Sequence, residues 1–368
     1  MNIGLCGFGV VGRGVYEIVR QRPDMKVKKI LCLEDIQLPD AQTVKDFSEI
    51  LNDPEIDTVV EAMGGLHPSY DFARAALEAG KNVVSSNKAM VCTFYDELIP
   101  LAAQKGVSLR CTAAVGGGIG WLSELERARR VQTINQVGGI MNGTCNYILD
   151  NMTRLGLGYD EALKQAQKLG YAEANPATDV DGIDTWHKVI LSANVAFGIS
   201  LDKTTVPVSG IRNISAADVD CFKAHGKVCK LISTAKRTED GFSAYVQPTL
   251  VAAGSPEGAV PLNYNLITFI GQTSERMSFY GQGAGRYPTA YNVVQDLVDV
   301  TQGKSFYAPY GAPQAADNQE AHRYYVRGDW EGSIQEDWST GVITAPVPVS
   351  QMHQWVKDHP DAFIAGVD

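Results

Sequence analysis

The chain begins MNIGLCGFGVVGRGV (residues 1–15), and this stretch decides the fold of its first third. Asn2–Cys6 is predicted to be a short buried strand, and the turn Gly7-Phe8-Gly9-Val10-Val11-Gly12 follows it and opens an amphipathic helix over Val10–Arg22. In such a unit the first glycine allows the tight turn, the second lets the backbone approach a pyrophosphate, and the third lets the helix pack on the strand. The stretch therefore predicts a dinucleotide-binding turn, with a turn of incidental glycines as the alternative.

Strands and helices alternate over the next hundred residues. The predicted strands are Val27–Leu33, Thr58–Met63, Asn82–Ser86 and Val107–Ala113, and predicted helices at Phe72–Ala79 and Thr93–Gln104 separate the later ones. This alternation predicts a parallel sheet with helices on both faces, which is an α/β Rossmann domain. After Gly116-Gly117-Gly118 helical and strand periodicities are mixed, so we place a domain boundary there and expect an α+β second domain.

Length and composition limit the class of protein. With 368 residues the chain is long enough for two domains. A net charge of −10 and a pI near 5.2 disfavour binding to nucleic acid and to anionic membranes. No apolar stretch is long enough to span a membrane and no secretory signal is recognisable, so a cytoplasmic protein is expected. The seven cysteines contain no C-x-x-C pair, which argues against a zinc cluster or a disulfide framework.

Two acidic residues at the end of the second predicted strand bear on the choice of cofactor. Glu34 and Asp35 lie about 20 residues after the glycine turn, where an acidic side chain commonly accepts hydrogen bonds from the ribose 2′-hydroxyl. A carboxylate there would repel a 2′-phosphate, so the sequence favours NAD over NADP. Arg13 and Lys45 remain candidates for a contact with a phosphate.

A lysine on a predicted helix and the acidic loop before it are candidates for the chemistry. Transfer of a hydride to a carbonyl creates an alkoxide, which needs a proton donor or a cation. Asp184 and Lys188 are spaced i, i+4 and share a helix face, although an exposed ion pair worth about 0.3–0.5 kcal/mol explains this spacing equally well. Glu173, Asp179 and Asp181 come before this helix and form either a solvated loop or a pocket for an ammonium group.

Lys88 is a second candidate lysine. It follows a predicted parallel strand, and open α/β sheets bind their ligands at the carboxyl ends of the strands. Surface lysines are common at such positions, so an unremarkable exposed lysine is the alternative. Its place in the chain, one hundred residues before Lys188, says nothing by itself about their distance in space.

Several further motifs occur in one consistent order along the chain. They are Glu61-Ala62-Met63-Gly64-Gly65, Asn87-Lys88-Ala89, Val115-Gly116-Gly117-Gly118-Ile119, Gly139–Leu149, Gly170-Tyr171-Ala172-Glu173, Asp179–Lys188, Gly281-Gln282-Gly283-Ala284-Gly285 and Pro288-Thr289-Ala290. Together with the N-terminal turn, they show that the sequence resembles homoserine dehydrogenases nearly continuously from residue 1 to about residue 303.

The resemblance implies an activity and a set of site residues. The activity is the reversible NAD(P)-dependent interconversion of L-homoserine and L-aspartate 4-semialdehyde, on the route to threonine, methionine and isoleucine. Lys188 would be the acid/base, with Lys88 and Asp184 as the other catalytic residues, and Lys88 would also contact cofactor and substrate. Glu173 and Asp184 would hold the small-molecule substrate, and Asp179, a further substrate contact, would orient the catalytic end. The implied cofactor contacts are Gly7, Phe8, Gly9, Val10, Val11, Gly12, Glu34, Gly64, Lys88 and Gly283.

The resemblance also implies the domain limits. Residues 1–118, completed by a late segment at about 283–303, would form the Rossmann domain. Residues 119–282 would form the domain that carries the substrate and the contacts of a homodimer. Residues 304–368 would be a C-terminal extension of unknown role, too short for a complete ACT-type regulatory domain, so weak or absent inhibition by threonine is expected.

Two positions depart from the family pattern. Thr112 stands where many members have a glutamate that helps to bind a monovalent cation, which weakens the case for a cation site on the backbone carbonyls of Val115 and Gly117. Gly120 stands where a proline is usual, which should loosen the turn and leave its role intact.

Two other functions compete with this reading. Cys145 could be the nucleophile of a phosphorylating semialdehyde dehydrogenase that forms a thioester, but no histidine base is paired with it in the sequence. The chain could also be a non-catalytic dinucleotide sensor, which would bind cofactor without turnover. A buried structural role is the simplest alternative for Cys145.

Overall fold

The computed structural model describes residues 1–304 and 312–367. Its strands are β1 (Asn2–Cys6), β2 (Lys26–Leu31), β3 (Gln42–Val44), β4 (Thr58–Glu61), β5 (Asn82–Ser85), β6 (Leu109–Arg110), β7 (Ile134–Ile140), β8 (Lys227–Arg237), β9 (Phe242–Ala252), β10 (Tyr264–Gly271), β11 (Glu275–Gln282), β12 (Ala321–Arg327), β13 (Ile334–Asp337), β14 (Val342–Thr344), β15 (Val347–Pro348) and β16 (Phe363–Val367). Its helices are α1 (Val10–Val19), α2 (Ser48–Leu51), α3 (Ser69–Glu78), α4 (Lys88–Thr93), α5 (Tyr95–Lys105), α6 (Trp121–Ala128), α7 (Gly143–Leu155), α8 (Tyr159–Lys168), α9 (Ala177–Val180), α10 (Ile183–Phe197), α11 (Ala216–Ala224), α12 (Arg286–Thr301) and α13 (Val349–Asp358).

The chain divides into two compact units. Unit 1 contains residues 1–130, 194–200 and the described part of 282–313, and unit 2 contains 131–193, 201–281 and 314–367. Unit 1 holds a parallel sheet with helices and unit 2 holds a mixed sheet with helices. The predicted fold class, a Rossmann domain joined to an α+β domain, is confirmed.

The sheet of unit 1 has six parallel strands in the order β3-β2-β1-β4-β5-β6. Its central strands are buried, because a parallel sheet is covered by helices on both faces. Leu5 and Val60 of the sheet join one hydrophobic core with Val15 of α1 and Leu297 of α12. The late helix α12 therefore completes the N-terminal domain.

The sheet of unit 2 has ten strands. Nine run in the order β11-β10-β7-β8-β9-β16-β12-β14-β13, and β15 pairs with β12. The long antiparallel pair β8 and β9 lies in the middle, and α7 and α11 pack against β8. This packing places the N-terminal turn of α7 on the sheet of unit 2.

The C-terminal segment is an integral part of this sheet. β16 pairs in parallel with β9 and antiparallel with β12, so the last strand of the chain lies between them. Met352 of α13 packs against Tyr324 and Ile364 of these strands. Residues that the sequence predicted as an extension therefore complete the sheet of unit 2.

The domain limit expected at residue 118 lies twelve residues further on. The hydroxyls of Ser123, in α6, and Thr112 are 2.8 Å apart, and Glu126 accepts a hydrogen bond of 3.3 Å from Arg110. These contacts keep α6 in unit 1. The strand predicted over Val107–Ala113 is also shorter than expected, because Thr112–Ala114 forms a 3₁₀ turn in which the backbone N–H of Thr112 donates to Asp296.

Candidate active site

The glycine turn at the start of α1 has room for a ligand at one position only. A Cβ at Gly7 would lie 2.7 Å from the carbonyl oxygen of Ala62, and a Cβ at Gly12 would lie 2.1 Å from the carbonyl oxygen of Gly7. A Cβ at Gly9 would meet nothing within 4 Å. Gly9 is also the N-cap of α1, and no side chain caps this helix. The first-turn N–H groups of α1 are therefore suited to bind an anion such as a pyrophosphate.

The acidic residues after β2 each have a basic partner. The guanidinium of Arg13 lies 3.0 Å from the carboxylate of Glu34 and 4.7 Å from the centre of the Phe8 ring. Lys45 lies 2.8 Å from Asp35. Both pairs are largely exposed. Glu34 thus stands at the predicted ribose position with a cation beside it.

A buried glutamate joins the loops after β4 and β5. Glu61 is fully buried, accepts a hydrogen bond of 2.9 Å from the backbone N–H of Met63 and accepts one of 2.6 Å from the hydroxyl of Ser85. Asn87 caps α4 by accepting from Met90 N–H, and its amide donates to the carbonyl of Gly65 at 2.6 Å.

These contacts fix the loop that contains Gly64 and the helix that begins at Lys88. Gly64 has a φ of +82° and no protein atom within 4 Å of a would-be Cβ. Lys88 is half-buried at the first position of α4. Glu61 and Asn87 could be recognised from the sequence only as members of motifs, because their contacts depend on how the strands are aligned.

The loop around Gly117 packs against the chain before α12. A Cβ at Gly117 would lie 2.6 Å from the backbone of Gly283, so this close approach requires glycine. The carbonyl of Gly117 accepts a hydrogen bond of 2.5 Å from the amide of Asn292. Val115 is fully buried. Gly283, Val115 and Gly117 therefore lie in one part of unit 1.

Thr112 is hydrogen-bonded to Asp296 within unit 1. Its hydroxyl donates to Asp296 at 2.7 Å, in addition to the backbone contact described above. Within the described residues, no group of three or more histidine, cysteine or acidic side chains could hold a metal ion.

Lys188 and Asp184 form a buried pair in unit 2. Their side chains are only 9% and 7% exposed, and the ammonium lies 2.7 Å from Oδ2 of Asp184. The ammonium also donates to the carbonyl of Met141 at 2.6 Å. The alternative of an exposed helix pair is therefore wrong for these residues.

The N-terminal turn of α7 gathers the acidic residues around this pair. The amide Nδ2 of Asn142 donates to Asp179 at 2.7 Å and to Asp184 at 2.8 Å. The hydroxyl of Thr144 donates to the carbonyl of Tyr171 at 2.6 Å, in the loop that leads to Glu173. Sequence reasoning quoted Asn142 as part of a motif and missed its role, because its partners lie 37 and 42 residues further on.

Glu173 and Asp181, the other two acids of the predicted pocket, lie in different surroundings. Glu173 is exposed in the loop between α8 and α9. Asp181 forms a two-pronged ion pair with Arg212, with both contacts at 2.8 Å. The carboxylate of Asp181 is therefore paired with Arg212, whereas those of Asp179 and Asp184 are bonded to Asn142 beside Lys188.

Known proteins match the chain along most of its length. A family model described as "Homoserine dehydrogenase, NAD binding domain" matches residues 7–112, and one described as "Homoserine dehydrogenase" matches residues 121–298. A homoserine dehydrogenase of Bacillus subtilis is 34% identical over 84% of this chain and 76% of its own, and one of Synechocystis is 36% identical over 82% and 73%. The crystal structure of a homoserine dehydrogenase from Thiobacillus denitrificans has a TM-score of 0.87 at 28% identity, covering 100% of this chain and 98% of the other. The chain belongs to the homoserine dehydrogenase family.

Membership makes the chain an oxidoreductase with a nicotinamide dinucleotide-binding domain. It acts on a small molecule, as homoserine dehydrogenases do, and belongs to amino-acid biosynthesis. The dinucleotide-binding fold predicted from the N-terminal turn is confirmed. Within the described residues, no helix has the length and apolar character needed to span a lipid bilayer.

The surroundings of Cys145 oppose the thioester route. Cys145 is fully buried, and its thiol donates to the carbonyl of Asp179 at 3.1 Å. Burial, together with the nearby carboxylate of Asp179, raises the pKa of this thiol well above its usual value. A thiol nucleophile needs the opposite environment, with positive charge and access to substrate.

Proposed function

We propose that this chain interconverts L-homoserine and L-aspartate 4-semialdehyde, with Lys188 as the acid/base. The buried Lys188 ammonium, held between Asp184 and the carbonyl of Met141, carries the proposal. An ammonium has three hydrogens, and these two acceptors account for two of them. We assign the third to a substrate oxygen.

Proton transfer follows from this arrangement. Bound nicotinamide dinucleotide supplies the hydride for reduction and takes it up in oxidation. During reduction Lys188 donates a proton to the aldehyde oxygen as negative charge develops there, and during oxidation neutral Lys188 accepts the hydroxyl proton. Asp184 stabilises the ammonium form between these events.

The substrate ammonium requires carboxylates. Asp179 and Asp184 lie together on the Asn142 amide, and Glu173 is on the loop anchored by Thr144, so these three acids are the proposed partners. Lys88, in unit 1, is proposed to contact cofactor and substrate. This role of Lys88 is the one that the family resemblance implies.

The proposed cofactor is NAD rather than NADP. An acidic residue after β2, here Glu34, supports the proposal because such residues commonly accept from a ribose 2′-hydroxyl, and the open space at Gly9 suits a pyrophosphate. Gly64, Gly283 and Lys88 complete the proposed contacts. A cation on the carbonyls of Val115 and Gly117 is not part of the proposal. The Gly117 carbonyl accepts from Asn292, and the hydroxyl of Thr112, which replaces the family's glutamate, donates to Asp296 and accepts from Ser123. The homodimer and the cytoplasmic location stay predictions from the sequence.

Initial rates of homoserine-dependent reduction of NAD and of NADP test the function. Wild type is expected to turn over with a lower KM for NAD, and Lys188→Met is expected to lower kcat by about 10²–10⁴-fold, because a general acid/base is lost. Dinucleotide binding by Lys188→Met, followed by fluorescence, should be unchanged.

Lys230→Met is the matched control. Lys230 is another buried lysine of unit 2, bonded to Asn146 and to the carbonyl of Val260, and its loss should affect stability more than kcat. A wild type that binds dinucleotide without turning over homoserine would favour the sensor alternative. Full activity in Lys188→Met would reject the assigned mechanism, and a large NADP preference would reject the cofactor proposal.

A further inference from the structure

The side chain of Asn142 is fixed at both of its ends. Its Oδ1 accepts from the backbone N–H of Cys145 at 2.8 Å, which makes it the N-cap of α7. Its Nδ2 donates to the two carboxylates of Asp179 and Asp184. A reversed amide would place oxygen against both carboxylates, so the hydrogen-bond network permits one orientation only.

The two carboxylates share this donor. They are close enough to share one nitrogen, and like charges at such a distance oppose each other's ionisation. An amide has two hydrogens and no charge, so it can stabilise both carboxylates without neutralising either. The Oδ2 atom of Asp184 that accepts from Asn142 is also the one that lies 2.7 Å from Lys188.

The same short segment controls Lys188 in a second way. Met141, the residue before Asn142, supplies the carbonyl that accepts from the Lys188 ammonium. Asn142 is 4% exposed, and the described contacts of its side chain are all within unit 2. The peptide and side chain of Met141-Asn142 thus fix both partners of the lysine.

We propose that Asn142 is a positioning residue for proton transfer. It holds the carboxylates of Asp179 and Asp184 in place, and through Asp184 it sets the position of the Lys188 ammonium. This inference rests on the proposed function, since it assigns Asn142 to the acid/base centre of that reaction.

Replacement by aspartate separates this role from helix capping. Asn and Asp are equally good N-caps, so Asn142→Asp retains the cap of α7. It removes both donors and adds a third carboxylate beside two others. We expect kcat to fall by about 10²-fold or more, because Lys188 loses its fixed position, and the pH dependence of kcat to move to higher pH, because added negative charge raises the proton affinity of the centre.

Two further variants complete the experiment. Asn142→Ser also retains a cap but adds no charge, so it should lower kcat by about tenfold with a smaller movement of the pH profile. If the aspartate variant does not fold, the serine variant alone decides the question. Ser215→Ala removes the N-cap of α11 in the same unit, where Ser215 accepts from Asp218, and it should lower stability without changing kcat or the pH profile.

The outcomes are distinguishable. The KM for dinucleotide should be unchanged in both Asn142 variants, because the proposed cofactor contacts lie in unit 1. Wild-type kcat and pH profile in both folded variants would overturn the inference and leave the proposed function intact. A wild type without homoserine turnover would overturn the function and, with it, this inference.

Discussion

Cys145 is the third residue of α7, and its surroundings do not suit a nucleophile. Its thiol is buried and directed at the carbonyl of Asp179. Because burial raises its pKa, the thiol stays protonated near neutral pH and acts as a weak hydrogen-bond donor. At this position the local environment, and not the residue type, decides the chemistry.

Cys145→Ser tests this reading at the scale of one atom. A hydroxyl can donate to the same carbonyl, so kcat should stay within about threefold of wild type, whereas a thioester mechanism requires loss of turnover. Loss of activity in a folded Cys145→Ser variant would contradict the structural role.

Cys32 is the one half-exposed cysteine of the seven, so an alkylating reagent should modify it first in the native protein, as mass spectrometry would show.

In the glycine turn before α1, Gly12 is required for packing and Gly9 leaves space for a ligand. Gly12→Ala would force a Cβ to within 2.1 Å of the Gly7 carbonyl, so it should destabilise the fold by about 1–3 kcal/mol or more. Gly9→Ala has open space and a φ of −78°, so it should cost no more than about 1 kcal/mol as a poorer N-cap. Its methyl group would occupy the space in which a pyrophosphate approaches the backbone.

Gly9→Ala should therefore raise the KM for dinucleotide by about tenfold or more while the urea midpoint changes little. Gly12→Ala should lower the midpoint and serves as the matched variant. Dinucleotide affinity at the wild-type level in Gly9→Ala would show that the cofactor does not approach this position.

The elements themselves could largely be predicted from the sequence, because each depends on neighbouring residues. The strand–turn–helix unit and strand β5 followed local patterns of apolar residues and glycines. The end of β6 could not be predicted, since Thr112 is bonded to Asp296, 184 residues away. The contacts of Asn142 with Asp179 and Asp184 could not be predicted for the same reason. Contacts between distant segments decide the details of the site, and a single sequence does not display them.

At the scale of the whole chain, unit 2 is built from segments far apart in sequence. Its sheet takes β9 from the middle of the chain and β16 from the C-terminus. The helix α13 packs on this sheet, and His353 of α13 lies 3.0 Å from Oε1 of Gln247 and 3.1 Å from the hydroxyl of Ser209. A neutral imidazole satisfies both contacts by donating to Gln247 and accepting from Ser209. Besides the strand pairing of β16, the contacts of the buried His353 hold the C-terminal segment to the rest of unit 2.

The state of His353 should make the stability of unit 2 depend on pH. Burial, with a smaller effect of Lys357, lowers the pKa of His353 to about 3, whereas an unfolded histidine has a pKa of about 6.5. Between these values the unfolded chain binds the extra proton, so the free energy of unfolding must fall as the pH falls from about 6.5 towards 3. The loss at pH 5 relative to pH 7 should be about 2 kcal/mol from this group. Urea unfolding at the two pH values measures this loss. His353→Gln stays neutral at both pH values, so it should remove most of the difference. His67→Gln, at an exposed histidine, should leave the difference unchanged. An unchanged pH dependence in His353→Gln would mean that α13 is not held by a neutral imidazole.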